Sequence, residues 1–357
     1  VANTTIASGL KVQQWSRKFF KEYVRDSRFN RYMSEKGDNV IYVNKELGKK
    51  PGDTITFGLV MELDGAGVEG DDTLEGNEEN LGNYDDSVVV NQLRHAVSVG
   101  HMEQKRTMLD VLEHARERLK KWAMARLRDL MIDRLQAFSL DGTTTYAAAT
   151  EAQKDAALTA NADRALYGAL VGNQVAGDSS GSLANVDTTD DTMDEDIMSL
   201  LARLAEVADP AITPLTLSED EEWWVEFGGT NPYRDLKSSL DALHQNAGPR
   251  DMKNNPIWRA GDLVYNATIF RKIPEMLTIG NVGAAAAPVH TVVHCGQQAV
   301  VLGWAEYTRA IRNGRDGSDY GNIRGVGVAE IRGAKKTVFN ESFHGCVMGF
   351  VAAAADA

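Results

Sequence analysis

The 357-residue chain reads as an α+β fold with extended parts, and three stretches predict it. Met102 to Phe138 contains no glycine or proline and is rich in strong helix formers. Glu62 to Asp86 contains ten acids and no Lys or Arg, is broken by glycines, and lies between strand-like runs. From Gly325 onward the pattern turns strand-like to the end.

Taken in order, residues 1 to 50 are basic, with eleven Lys or Arg against five Asp or Glu. The aromatics Trp15, Phe19, Phe20, Tyr23 and Phe29 between Leu10 and Met33 suggest an amphipathic helix. It docks either on its own domain or, as an arm, on a neighbouring subunit. Asn39 to Leu47 and Thr54 to Leu63 read as strands, joined by a Gly-Lys-Lys-Pro-Gly-Asp turn. The alternating run Ser87 to Val99 is a further strand, so 48 to 92 forms an extended two-stranded excursion. A lone ribbon of two strands is marginal in water and should lean on another surface.

Apolar residues from Met108 and Leu112 through Leu119 and Leu127 to Phe138 recur at three-four spacing, one stripe on a helix roughly 50 Å long. A compact core has no use for such a rod, which reads as a strut. Gly100 stops it before, and Asp141-Gly142 after. An alanine-rich stretch and a loop-like stretch from Gly172 to Thr192 follow. Asp194 to Ala208 is a helix, Glu222 to Phe227 a Trp-rich strand, and Asn231-Pro232 start a helix to about His244. Gly261 to Ile273 and Pro288 to His294 read as strands, and Cys295 to Tyr307 as a buried turn and helix. A basic cluster follows at Arg309, Arg312, Arg315, Arg324, Arg332, Lys335 and Lys336.

Composition excludes several classes. The net charge of −13 argues against a dedicated nucleic-acid binder, whose affinity depends on neutralising phosphates. No apolar run approaches the ~20 residues that span a bilayer, and the N-terminus lacks the layout of a signal peptide. Two cysteines, Cys295 and Cys346, fit a reducing compartment better than a disulfide scaffold. No phosphate-binding, nucleophile-elbow or zinc-protease motif is present. The best metal candidates are His290, His294 and Cys295, with His344 and Cys346. A strand at 290–294 sets its two histidines ~13 Å apart, so they read as structural. The acidic stretch lacks calcium-loop spacing and reads as a solvated or partner-facing surface. No catalytic constellation, cofactor or metal site is expected.

Six passages carry a family resemblance: 48–81, 106–122, NPYRDLKSS at 231–239, NPIWRAGDLVYNATI at 255–269, CGQQAVVLGWAE at 295–306, and 319–340. In this order they resemble the Hong Kong 97 fold of tailed-phage major capsid proteins, with wording similar to the podovirus N-four-like family. The resemblance implies an N-arm (1–47), an extended acidic β-hairpin or E-loop (48–95), and a peripheral domain (96–149) with a spine helix at 102–138. It also implies an axial domain (150–312) and a return to the peripheral domain (313–357). The implied function is a coat protein that self-assembles, as pentamers and hexamers, into an icosahedral head around double-stranded DNA. An encapsulin-like compartment shell is the alternative, and a minor phage structural protein or an enzyme with an acidic metal site are outsiders. The implied partners are a separate scaffolding protein, since no long helical segment opens the chain, unless a segment before Val1 was cleaved away; a portal protein; a cement or decoration protein; and DNA bound without sequence specificity. No membrane is implied, and the setting is the virion head, with host cytoplasm during assembly. Some relatives join subunits by a Lys–Asn isopeptide; Lys49 or Lys50 with Asn340 near Glu341 are the conceivable pair here.

The inter-subunit contact residues expected from these readings are Trp15, Phe19 and Phe20 in the arm and Glu69, Asp71, Asp72, Glu75, Glu78 and Glu79 in the ribbon. Arg309, Arg312, Arg324, Lys335 and Lys336 are expected on the basic surface, where opposite charge would set register.

Overall fold

The computed structural model describes residues 29–48, 52–61, 63, 65, 67–70, 73–106, 111–218, 221–246, 263–276, 278–312 and 322–354. Strands β1 (Met33–Ser34) and β2 (Ile41–Asn44) open the described chain. Strands β3 (Thr54–Val60) and β4 (Asn83–Val89) pair antiparallel from Thr54↔Val89 to Val60↔Asn83, which makes the excursion a two-stranded ribbon. Strand β5 (Asn91–Gly100) leads into helices α1 (His101–Arg106) and α2 (Val111–Leu135).

The long helix was expected to run to Phe138, and it ends at Leu135. The Ala137 amide turns to the Arg134 carbonyl, and the Phe138 amide donates to Thr144 O at 3.1 Å. Asp141 drives this reversal, because its carboxylate accepts the Thr143 and Thr144 amides at 2.8 and 3.0 Å. Burial would raise its pKa, but hydrogen bonds from the Ser139 hydroxyl and from Thr143 and Thr144 hold it well below the carboxylate range. Phe138 is thereby left fully buried against Phe350 and Phe343.

Helix α3 (Glu151–Ala160) opens on a Thr150–Gln153 capping box, followed by β6 (Ala165–Tyr167) and the short α4 (Ser179–Leu183). Helix α5 (Glu195–Val207) is capped by Asp194, whose side chain accepts from the Ile197 amide. Strands β7 (Leu215–Ser218) and β8 (Glu221–Gly228) precede α6 (Thr230–Asn246). The run to Ile273 is a hairpin of β9 (Leu263–Tyr265) and β10 (Thr268–Lys272), and β11 (Thr278–Asn281) and β12 (Pro288–Cys295) follow.

The helix expected within Cys295–Tyr307 is instead strand β13 (Val300–Arg312), paired antiparallel with β14 (Ile323–Lys336). Its first half is buried on both faces, which erases the alternation by which a strand is recognised. The chain closes with β15 (Val338–Phe339), β16 (Ser342–Phe343) and β17 (Cys346–Ala352).

Two main sheets result. One has the order β1-β2-β13-β14-β5, and the other is eight-stranded, with the path β6-β17-β12-β8-β10-β9 and β7 and β11 beside it. The main core joins Leu119, Leu127 and Met131 of α2 to Val326 and Val328 of the first sheet and to Phe227, Val293 and Phe350 of the second. A second cluster packs α5 and α6, through Ile197, Leu201, Leu236 and Leu240, on the far face of the eight-stranded sheet against Val292, Val347 and Phe270.

Candidate assembly surface

The ribbon β3–β4 touches the rest of the chain mainly at its root. Strand alternation places Ile55, Phe57, Leu59 and Met61 on one face, with Val88, Asp86 and Tyr84 opposite them. Burial falls along this face, from Ile55 at 5% exposed to Phe57, Leu59 and Met61, which are half-buried. At the root, Ile55 and Val88 rest on Gly303 and Gly333. A Cβ at Gly303 would meet Ile55 Cδ1 at 2.6 Å, and one at Gly333 would meet the Val89 carbonyl oxygen at 2.1 Å. Glycine is needed at both positions because backbone and side chains approach too closely for any Cβ.

Asp86 locks the same root. Its buried carboxylate accepts from the Lys335 ammonium, from the Val338 amide at 3.2 Å and from its neighbour Ser87 at 2.7 Å. Phe57 packs edge-on against Phe339 beside it, with ring centroids 5.8 Å apart. Beyond the root the ribbon overhangs a cleft of about 310 Å³. Leu59, Met61 and Tyr84 line one side of it, and Arg164, Asp209, Pro210, Asn340 and His344 the other. Farther out, Leu63, Leu74 and Leu81 are 60%, 64% and 55% exposed. Charge-rich and apolar at once, this extension has the character of a docking element.

Of the acids expected to meet a neighbour, Glu69, Glu75, Glu78 and Glu79 are exposed. Two of them also fold the tip: Glu78 accepts the Gly76 amide at 2.7 Å and Glu79 the Gly65 amide at 2.8 Å. Asp71 and Asp72 lie outside the described residues, as do Trp15, Phe19 and Phe20 of the arm and Lys49 and Lys50. Asn340 is exposed at the tip of the β15–β16 turn.

The basic cluster does not form one surface. Lys336 was expected at an inter-subunit contact, and it is fully buried. Its ammonium donates to Ala137 O at 2.5 Å, at the end of the long helix, and lies 3.2 Å from Met348 Sδ. Burial pushes its pKa down. Lys335, on the opposite face of β14, is occupied within the chain by Asp86. Arg332 is buried beside Glu330 at 2.9 Å and over the Trp304 ring. Burial raises the Glu330 pKa, and Arg332 opposes that rise. Arg309 and Arg324 remain exposed; Arg309 pairs with Glu306 at 2.8 Å, and the side chain of Arg312 lies outside the described residues.

Of the histidines considered as metal candidates, His290 and His294 are buried and His344 is half-buried. His294 is buried against Glu226, its cross-strand partner, at 3.4 Å, and burial raises the Glu226 pKa. His290 lies 3.4 Å from the Asn231 amide. His344, at the edge of the cleft, is held down to about 4 by burial and by Arg164. The Arg164 guanidinium is fully buried and donates to the Phe343 and Pro210 carbonyls.

Sequence reasoning missed Gly303, Gly333 and Asp86 as the seat of the ribbon. The available signal was Gly333 inside a strand-like run, which marks close backbone approach; Gly303 fell in a run that reads as turn and helix.

Comparisons with known proteins agree with this architecture. The chain is similar over 100% of its length, and 100% of the other chain, to the capsid subunit of cyanophage Pam1, at 34% identity and a TM-score of 0.83. It resembles the capsid protein of Ralstonia phage GP4 at 25% identity, covering 93% of this chain and 92% of that one, with a TM-score of 0.72. Over 132 residues, 36% of this chain and 34% of the relative, it is 29% identical to the major capsid protein of Pseudomonas phage KPP25. The Hong Kong 97-type fold expected from the sequence is the fold observed. A family model described as phage capsid protein matches residues 3–349, and the chain belongs to that family.

Proposed function

We propose that the chain is the major capsid protein of a tailed bacteriophage, and that copies of it assemble as pentamers and hexamers into the icosahedral head enclosing double-stranded DNA. Full-length similarity to the Pam1 capsid subunit carries this reading. The role is structural, without catalysis. The ribbon is the E-loop of this subunit and lies on a neighbouring copy. The occupant it meets there is basic, either the arm before residue 29 or the exposed Arg309 and Arg324. Opposite charge steers the encounter and fixes register, while the apolar residues Leu63, Leu74 and Leu81 supply burial.

Residues 1–47 serve as arm, 96–149 and 313–357 as peripheral domain, and 150–312 as axial domain. A scaffolding protein guides assembly in the host cytoplasm, a portal protein takes one vertex, and a cement protein joins the finished shell. DNA is packaged without sequence reading. The test is sedimentation and negative-stain microscopy of the purified chain, with and without its scaffold, over a salt series. Regular shells that weaken with salt are expected, and a monomer under every condition overturns the reading. Shells that enclose protein in place of nucleic acid would move the chain to the encapsulin class.

A further inference from the structure

We propose that Cys295 and Cys346 are a redox pair, which hydrogen peroxide closes into a cross-strand disulfide inside the folded chain with the Lys336 amine as local base. The chemistry belongs to the folded subunit and does not depend on the shell.

The chain has two cysteines, and the fold sets them directly opposite each other, Cys295 in β12 and Cys346 in β17. One step along the same ladder, the Gly296 amide donates to the Gly345 carbonyl at 3.0 Å. Opposed pairs alternate in an antiparallel ladder, so the cysteines occupy a non-hydrogen-bonded pair. Such pairs hold their Cα atoms about 4.5 Å apart, with the side chains drawn together on one face. A disulfide spans about 4.4–6.8 Å between Cα atoms, so the bond closes within the existing ladder. It would sit at the short end of that range, which marks a strained and readily reduced bond.

Buried thiols are ordinarily inert, because an apolar setting disfavours the thiolate. Both cysteines are fully buried, and burial raises the Cys295 pKa. Lys336 changes this balance. Its Nζ lies 3.2 Å from Sδ of Met348, two residues from Cys346 on the same face of β17, and within hydrogen-bond reach of the Cys346 sulfur. Burial pushes this amine toward its neutral form, which accepts a proton.

The Cys346 thiol passes its proton to the Lys336 amine, and the thiolate attacks one peroxide oxygen. The O–O bond breaks, leaving a sulfenic acid, and the departing hydroxide takes the proton back from Lys336 as water. The Cys295 thiol then attacks the sulfenic sulfur. The S–O bond breaks, the S–S bond forms, and a second water leaves with the Cys295 proton. Two thiols lose two electrons in all, and one peroxide is reduced to two waters. The dithiol persists in a reducing compartment, and the disulfide in an oxidising medium. Closure ties β17, the last described strand, covalently to β12.

The test treats the folded full-length chain with hydrogen peroxide, removes the peroxide, then unfolds the chain and labels it with maleimide. Labels per chain are expected to fall from two to none and to return to two after dithiothreitol. Non-reduced peptide mapping should join Cys295 to Cys346. Lys336→Met is expected to slow closure about tenfold or more while reaching the same end point. Two thiols that stay free, sulfinic acids in place of the bond, or links only between chains overturn the pair. A Lys336→Met chain that closes as fast as wild type overturns the base. No shell enters the readout, so either failure leaves the capsid reading standing.

Discussion

Gly303 and Gly333 lie directly opposite one another in the β13–β14 ladder, and the ribbon root rests on both. Cross-strand partners share a face, so the pair makes a flat patch without side chains in a sheet otherwise covered by them. Gly333→Ala should therefore force the Val89 backbone away. A loss of about 1–3 kcal/mol is expected in denaturant unfolding. Ala at Gly100, at the end of β5 in the same sheet, where a Cβ meets nothing within 4 Å, should cost less.

Asp86→Ala leaves the Lys335 ammonium, 17% exposed, without its acid and the Val338 amide without its acceptor. A cost of about 2–3 kcal/mol is expected. Hydrogen exchange should quicken in residues 54–60 and 83–89, while the α5–α6 layer stays protected. Equal loosening in both places would contradict the assignment of Asp86 to the ribbon root.

Lys336 gives a prediction of opposite sign. Its folded pKa is depressed below 10.5, so the fold favours the neutral amine. That contribution is fully present above the unfolded value and is lost as pH falls through the folded one. Lys336→Met should therefore be neutral or stabilising at pH 7, and its advantage should shrink as pH approaches 10. Unfolding midpoints across that range check it.

His344 works in the acid range. With a folded pKa of about 4 against 6.5 unfolded, it contributes stability above pH 6.5 that is lost as pH falls toward 4. The full effect is about 3 kcal/mol. His344→Asn should flatten the fall in stability between pH 6.5 and 4, and an unchanged slope would rule His344 out as a source of acid sensitivity.

Asn340 and Glu341 form the two-residue turn between β15 and β16 at φ +48° and +64°. Asn suits such a turn and Glu does not. Glu341→Gly should raise stability by about 1 kcal/mol, since the carbonyl that accepts from Asn161 is kept.

Much of this fold was legible in the sequence where one face is wet. Helix α5 announced itself through Asp194 and the Ile197–Leu201–Leu204 stripe, and the ribbon through its glycines and acids. Legibility failed where both faces are covered. In β13, Val300, Leu302 and Trp304 face one way and Val301 and Gly303 the other, and all are buried, so no period survives. Counting charges failed for a different reason. Lys335 and Lys336 are neighbours in a strand and so point to opposite faces, one to the ribbon and one into the core. On the proposed reading half of the ribbon's contact belongs to another copy, so its partners lie beyond what one chain can reveal.

The narrow seating of the ribbon makes it a lever. The last of the seven residues of β3 lies about 20 Å beyond the first. A tilt of only ~5° where Ile55 and Val88 meet the two glycines would thus carry the far end sideways by ~2 Å, enough to break hydrogen-bond distances with whatever it touches. If the ribbon meets a neighbour as proposed, its fit is set at the root, and a methyl group added at Gly333 would be felt at the far end of the ribbon.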